Sequence, residues 1–284
     1  MVWILIQIDF RLINYIKLRK VGAFMGYCFY TKRCVQYDPI NMKKTKKIIN
    51  WLLGGISLTY AVIIIFPSLL FANNLEYKNF NVYYHSSEIN VEKLKSVLDE
   101  SQNLLNNTEL YNAVIIQDIF ICNSFNEFTF FALFSRKAFA VNYPITQNIF
   151  LSKSSITENS ILRNGKKNNK RTLSGVIAHE TAHSLLENNL GIVKYKLLPS
   201  WKNEGYCDFI ANESSFNKQK GLQDICNNKD NSDTPSFKYF KYRIITEYLF
   251  KERKITLEKF LNDDFELEEI NKKLKKKYCT QQSI

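Results

Sequence analysis

The residues whose types and spacing bear on chemistry lie between His179 and Asp208. His179-Glu180-Thr181-Ala182-His183 is an H-E-x-x-H pattern. Residues four apart on an α-helix project from nearly the same side, so both imidazoles face one ion. Glu180, about 100° away, stands near that ion without taking a ligand place. Neutral imidazoles suit zinc, and three protein ligands leave a fourth position for a water whose pKa the metal brings to about 7. Two of the three histidines in the chain are spent here, the third being His85. The helix that must carry them is legible: Thr172 or Ser174 can cap it, Val176, Ile177, Ala182, Leu185 and Leu186 supply apolar faces, and Gly191 stands where it ends.

Two histidines do not complete a catalytic metal site, and the segment 199–211 supplies the missing carboxylate. Pro199 suits a first helical turn, and Glu204 and Asp208 are four apart on one face. Glu204 reaches the metal, while Asp208, one turn on, accepts the outer N–H of His179 and fixes its tautomer.

HETAH, with twenty residues intervening between His183 and Glu204 of NEGYCD, resembles the gluzincin zinc metallopeptidases, the thermolysin-like or peptidase MA-like superfamily. Trp201, Asn203, Glu204, Gly205 and Asp208 match that family's W-x-x-E-G and N-E-x-x-x-D variants. The resemblance implies zinc held by His179, His183 and Glu204, Glu180 as general base, and Asp208 supporting His179. It implies peptide or protein substrates cut by attack of water with no covalent intermediate. Such peptidases place a strand beside the cleft, and 148–151 looks like that edge, with Asn148 and Phe150 as substrate-binding residues. A late helix carries Tyr239 as the residue that steadies the oxyanion, although Tyr242 stands where the family has glycine. The other reading of the same residues is a catalytically inactive, membrane-tethered binding protein of zincin-like fold; the intact set of ligands plus Glu180 argues against it.

The elements around the motif read as α+β: a zincin-like domain with a small mixed sheet and an active-site helix pair. Phe80, Val82 and Tyr84 alternate like a half-buried strand. Asn90 caps a helix whose Leu94, Val97, Leu98, Ser101, Leu104 and Leu105 share a face. Segments 113–116 and 119–122 are rich in β-formers, 128–141 is aromatic and ambiguous, and 147–151 is a short strand. The basic stretch 163–171 reads as a solvated surface loop.

Charge distribution places the remainder. The chain of 284 residues carries +12, but residues 1–50 hold 10 Lys and Arg against 2 acids, and residues 73–284 hold 29 against 25. The excess crowds against the uncharged run 48–72 rather than spreading over a folded surface, so no nucleic-acid partner is expected. At about 1.5 Å per residue this run is long enough to cross a hydrocarbon core of about 30 Å. The lysines of Lys43-Lys44-Thr45-Lys46-Lys47 hold 1–47 in the cytoplasm, making 48–72 a single-pass anchor in the cell membrane with the 73–284 domain on the non-cytoplasmic side. Met42 also reads as a translation start, in which case 1–41 would not be made; a cleaved signal and a secreted domain is the alternative to an anchor. Outside the cytoplasm disulfides are permitted, and Cys207 with Cys226 is the pair nearest in sequence.

Overall fold

The computed structural model describes residues 39–85, 89–111, 115–163, 166–227 and 234–279. The readings on residues 1–38, with Cys28 and Cys34, and on the start of 113–116 lie outside the described residues. Contacts divide the chain between Thr59 and Tyr60.

An N-terminal helix, α1 (Pro39–Ile65), contains a stretch, Lys44–Ile65, long and apolar enough to cross a membrane. It stops seven residues before the apolar run does. Pro67 has no N–H to continue the ladder and disfavours helical backbone at Phe66, whose φ and ψ are −121° and 57°; a short 3-10 turn, Pro67–Leu70, follows. The helix thus ends short of residue 72, where the expected span ends. Phe71 is buried among Phe120, Phe131 and His85, so the tail of the run belongs to the folded domain.

A five-stranded mixed sheet has the order β1 (Asn73–Tyr77), β2 (Phe80–Tyr84), β3 (Gln117–Ile121), β5 (Ile149–Leu151), β4 (Ala140–Asn142). The pairs β2/β3 and β3/β5 are parallel; β1/β2 and β5/β4 are antiparallel. Alternation along the strands sorts the side chains to two faces. Phe80, Val82, Ile119, Ile121, Ile149 and Leu151 join the larger core, and Phe120 and Phe150 join a second, aromatic one. Helix α2 (Val91–Leu105) covers the first face with Leu94, Val97, Leu98 and Leu105 buried, its Asn90 cap accepting from the Lys93 N–H as expected. Helix α3 (Phe125–Ala132) covers the second with Phe128 and Phe131, and this resolves the ambiguous aromatic stretch. Ser124 caps α3 by accepting from Glu127 N–H, and Glu127 reaches back to the Asn123 N–H at 2.8 Å, a reciprocal pair that starts the helix.

A second, antiparallel sheet, β6 (Ser154–Ser155), β7 (Ser160–Arg163) and β8 (Lys166–Thr172), occupies the stretch read as a solvated loop. It delivers the chain into α4 (Leu173–Leu197), where the Thr172 hydroxyl accepts from Gly175 N–H. Gly191, with φ of 73°, interrupts α4, a conformation that costs glycine little. Helices α5 (Ser200–Ile210), α6 (Lys218–Cys226), α7 (Pro235–Lys251), α8 (Leu257–Asn262) and α9 (Leu267–Cys279) complete the domain. Cys226 forms a disulfide with Cys279, between α6 and α9, and not with Cys207, the cysteine nearest to it in sequence; Cys207 is a free, buried thiol.

Candidate metal centre

Two helices supply the centre. On α4, His179 and His183 project together, their Nε2 atoms 3.2 Å apart. From α5, the Glu204 carboxylate enters with Oε2 at 3.5 Å from His179 Nε2 and 3.8 Å from His183 Nε2. The crossing of these helices is set partly by Gly205: a Cβ there would lie 2.8 Å from the Tyr242 carbonyl oxygen of α7 and 2.5 Å from Thr246 Oγ1. Only glycine admits that approach, which puts the preceding residue, Glu204, over the histidines.

The outer nitrogens of both rings are spoken for, and this decides what the inner ones can do. Asp208 Oδ1 stands 2.9 Å from His179 Nδ1, and Asn203 Oδ1 stands 2.9 Å from His183 Nδ1. Both partners are acceptors, which favours the Nδ1–H form of each ring with an Nε2 lone pair turned inward when a metal is bound. Two lone pairs and a carboxylate oxygen converging in a buried space repel one another unless a cation sits between them; this His-His-Glu group can hold a metal ion. In the metal-free chain protons answer the same need. Burial opposes charge on His179, but the Asp208 carboxylate outweighs it and pushes the imidazole up to about 10. Burial likewise opposes ionisation of Glu204, yet the two histidines hold its carboxyl below the usual range.

Asp208 is only 2% exposed and would be a costly isolated charge. Arg171 stabilises it: its Nη1 lies 3.0 Å from Asp208 Oδ1 and its Nε donates to Glu213 Oε1 at 2.9 Å. Burial favours the neutral acid, but Arg171 and then His179 keep Asp208 below the ordinary carboxylate range. Sequence reasoning missed Arg171, assigning it to the solvated loop; it is the last buried position of β8, one residue before the cap of α4. Asn203 was noted only as part of a pattern, and its role as acceptor for His183 emerges from the fold. Tyr195, beyond the break at Gly191, brings its hydroxyl to 3.2 Å from His183 Nδ1, and Cys207 Sγ lies 3.3 Å from the same atom. Burial pushes the Cys207 thiol well up, so it stays protonated.

Glu180 lines a cleft of about 800 Å³ together with His179, His183, Glu204 and Tyr239. Its backbone is clamped to β4: Asn142 Nδ2 donates to Glu180 O and to Ser184 Oγ, both at 2.7 Å. Tyr239 stands half-buried on α7 in the cleft wall, its hydroxyl pushed up to about 12 by burial and by Glu204 and Asp208. Asn148 and Phe150 are not there. Strand β5 lies inside the sheet between β3 and β4, so it offers no edge; Phe150 is fully buried against Phe120 and Phe131, and Asn148 is 4% exposed and donates to Ile64 O at 3.2 Å. The edge beside the cleft is β4, whose three residues line it. His85, the third histidine, pairs with Glu127 at 2.5 Å and stacks on Phe71, outside the metal centre. No protein-family model matches the chain, and no curated protein matches it.

Proposed function

We propose that the chain is a membrane-anchored zinc metallopeptidase of the gluzincin type, in which His179, His183 and Glu204 hold the ion. The observation that carries this reading is the convergence of two Nε2 lone pairs and one carboxylate oxygen beside Glu180 in an open cleft. Atoms bound at about 2.05 Å to a tetrahedral ion stand about 3.3 Å apart. The separations of 3.2, 3.5 and 3.8 Å fit that geometry without rearrangement. Cysteine is absent from the ligand set, and nitrogen with one carboxylate is a donor set that zinc accepts.

Zinc held there supplies Lewis-acid activation of a water and of the scissile carbonyl. Glu180 takes the proton from the attacking water and passes it to the leaving amine nitrogen. Asp208, fixed by Arg171, and Asn203 keep the imidazoles aimed, so no rotation is needed during turnover. Tyr239 remains a protonated donor at neutral pH and can hydrogen-bond the oxygen on which negative charge develops. The free edge of β4 supports the reading further, because an extended peptide can add to it as a strand. The anchor is the stretch Lys44–Ile65, with the lysines at its start favouring a cytoplasmic N-terminus and the Cys226–Cys279 disulfide favouring a non-cytoplasmic domain.

The test is elemental analysis of the gently purified full chain together with hydrolysis of a mixed peptide pool. About one zinc per chain is expected, lost in His179→Ala and Glu204→Ala. Glu180→Gln should keep the zinc and lose hydrolysis by at least about a hundredfold. A wild-type chain that ignores added zinc, or a Glu180→Gln chain that loses the metal, overturns the assignment.

A further inference from the structure

Charges of both signs line the cleft. On the metal side stand Glu180, Glu204 and Asp208, with Arg171 already engaged by Asp208 and Glu213. The other charged residues lining the cleft, among the described residues, are Arg136, Lys137 and Arg163, all positive. Arg136 and Lys137 are exposed and lie in the connection between α3 and β4. Arg163, at the end of β7, is different: it is half-buried and held in place. Its Nε donates to the Lys137 carbonyl and its Nη1 to Ser236 Oγ at 3.4 Å, so it bridges two segments of the wall through neutral partners.

Among the described residues no carboxylate pairs with Arg163. That is unusual economy for a guanidinium out of full contact with water, because a partly desolvated cation normally sits against an anion. A carbonyl and a hydroxyl satisfy two of its five N–H donors and neutralise none of its charge. It also reaches the reaction side electrostatically: Arg163 counteracts the raising effect of Glu204 and Asp208 on the Tyr239 hydroxyl, and Tyr239 lines the same cleft. A fork of donors that meets no carboxylate among the described residues, on the lining of a site of peptide hydrolysis, is built to accept a planar anion from outside.

We propose that Arg163 is a specificity-determining residue that receives a carboxylate of the substrate, with Arg136 and Lys137 drawing acidic chains toward the cleft. The inference rests on the peptidase reading above. The carboxylate can come from an Asp or Glu side chain or from the C-terminus of the peptide, and the two sources are separable.

The experiment uses the full chain, zinc-loaded, in detergent micelles. One internally quenched peptide frame carries Glu, Gln or Lys at each of the four positions on either side of the cut bond, with a second pair ending in a free acid or an amide. A charge-assisted contact of this kind predicts that Glu exceeds Gln by about ten- to a hundredfold in kcat/KM at one position, with Lys below Gln. A preference confined to the free-acid member of the terminal pair supports the same residue acting on the C-terminus. Arg163→Gln should bring the favoured ratio close to one, Arg163→Lys should restore part of it, and Arg163→Glu should turn the preference toward Lys. A merely structural role would lower every peptide alike and would not invert the ratio. If peptides are cut with no acidic preference, or with one that survives Arg163→Gln, the inference is wrong and the peptidase reading stands. If no peptide is cut in a Glu180-dependent way, the peptidase reading fails and the inference with it.

Discussion

At the residue scale, the metal centre depends on a relay of charge running outward from the ion site: His179, Asp208, Arg171, Glu213. His179, Asp208 and Arg171 are buried, Glu213 is partly exposed, and each of the buried three would be costly as an isolated charge. Arg171→Met should therefore destabilise the domain by roughly 3–5 kcal/mol, the range for leaving one partner of a buried pair uncompensated. Urea unfolding measures this directly; a change below about 1 kcal/mol would show that His179 alone suffices for Asp208. The inner half of the relay was legible because helical spacing is local: four residues separate His179 from His183 and Glu204 from Asp208. Arg171 was not legible. It ends a run of Arg, Lys and Asn whose composition says solvent, and only the pairing of β8 with β7, with Glu213 arriving from beyond α5, turns that one side chain inward.

At the element scale, the position of Glu204 follows from how closely α5 can approach α7. Gly205→Ala would place a methyl 2.8 Å from a backbone oxygen that has nowhere to go. A cost of about 1–3 kcal/mol in stability is expected for such overpacking, accompanied by weaker zinc retention as α5 lifts. Thermal unfolding with and without chelator separates the two effects, and a variant that keeps both would mean the helices slide freely. The helix pair and the strand Phe80–Tyr84 were readable from period and caps, but the edge strand was not. Ile149 to Leu151 is apolar without alternation, and β5 is buried at all three positions, as a strand flanked on both sides should be. The true edge, Ala140–Asn142, is three residues long and carries no periodic signal; the one polar residue in it, Asn142, proves to be the clamp on Glu180.

At the scale of the whole molecule, the apolar helix and the Cys226–Cys279 disulfide both bear on the compartment of the domain. Protease added to intact cells or spheroplasts should digest the 73–284 region while a cytosolic marker survives, and Cys226 and Cys279 should resist alkylation until a reductant is added. A protected, reduced domain would place it on the cytoplasmic side. The apolar run was legible by length, but its end was set by Pro67 and by the demand of the aromatic core for Phe71, neither of which hydropathy registers.

The Asn148 side chain holds the carbonyl of Ile64, and Tyr60 donates to Phe130 O at 2.8 Å, so the last turns of the apolar helix are stitched into the domain. A flexible leash of ten residues would let a tethered enzyme wander by roughly 18 Å. This chain has no leash: Phe71 and Ala72 alone separate the 3-10 turn from β1. Tyr60 to Ala72 therefore belongs to the folded unit rather than to a linker. A truncation made within 60–72 removes packed residues from the aromatic core, Tyr60, Ile64 and Phe71 among them, and does more than shorten a tether.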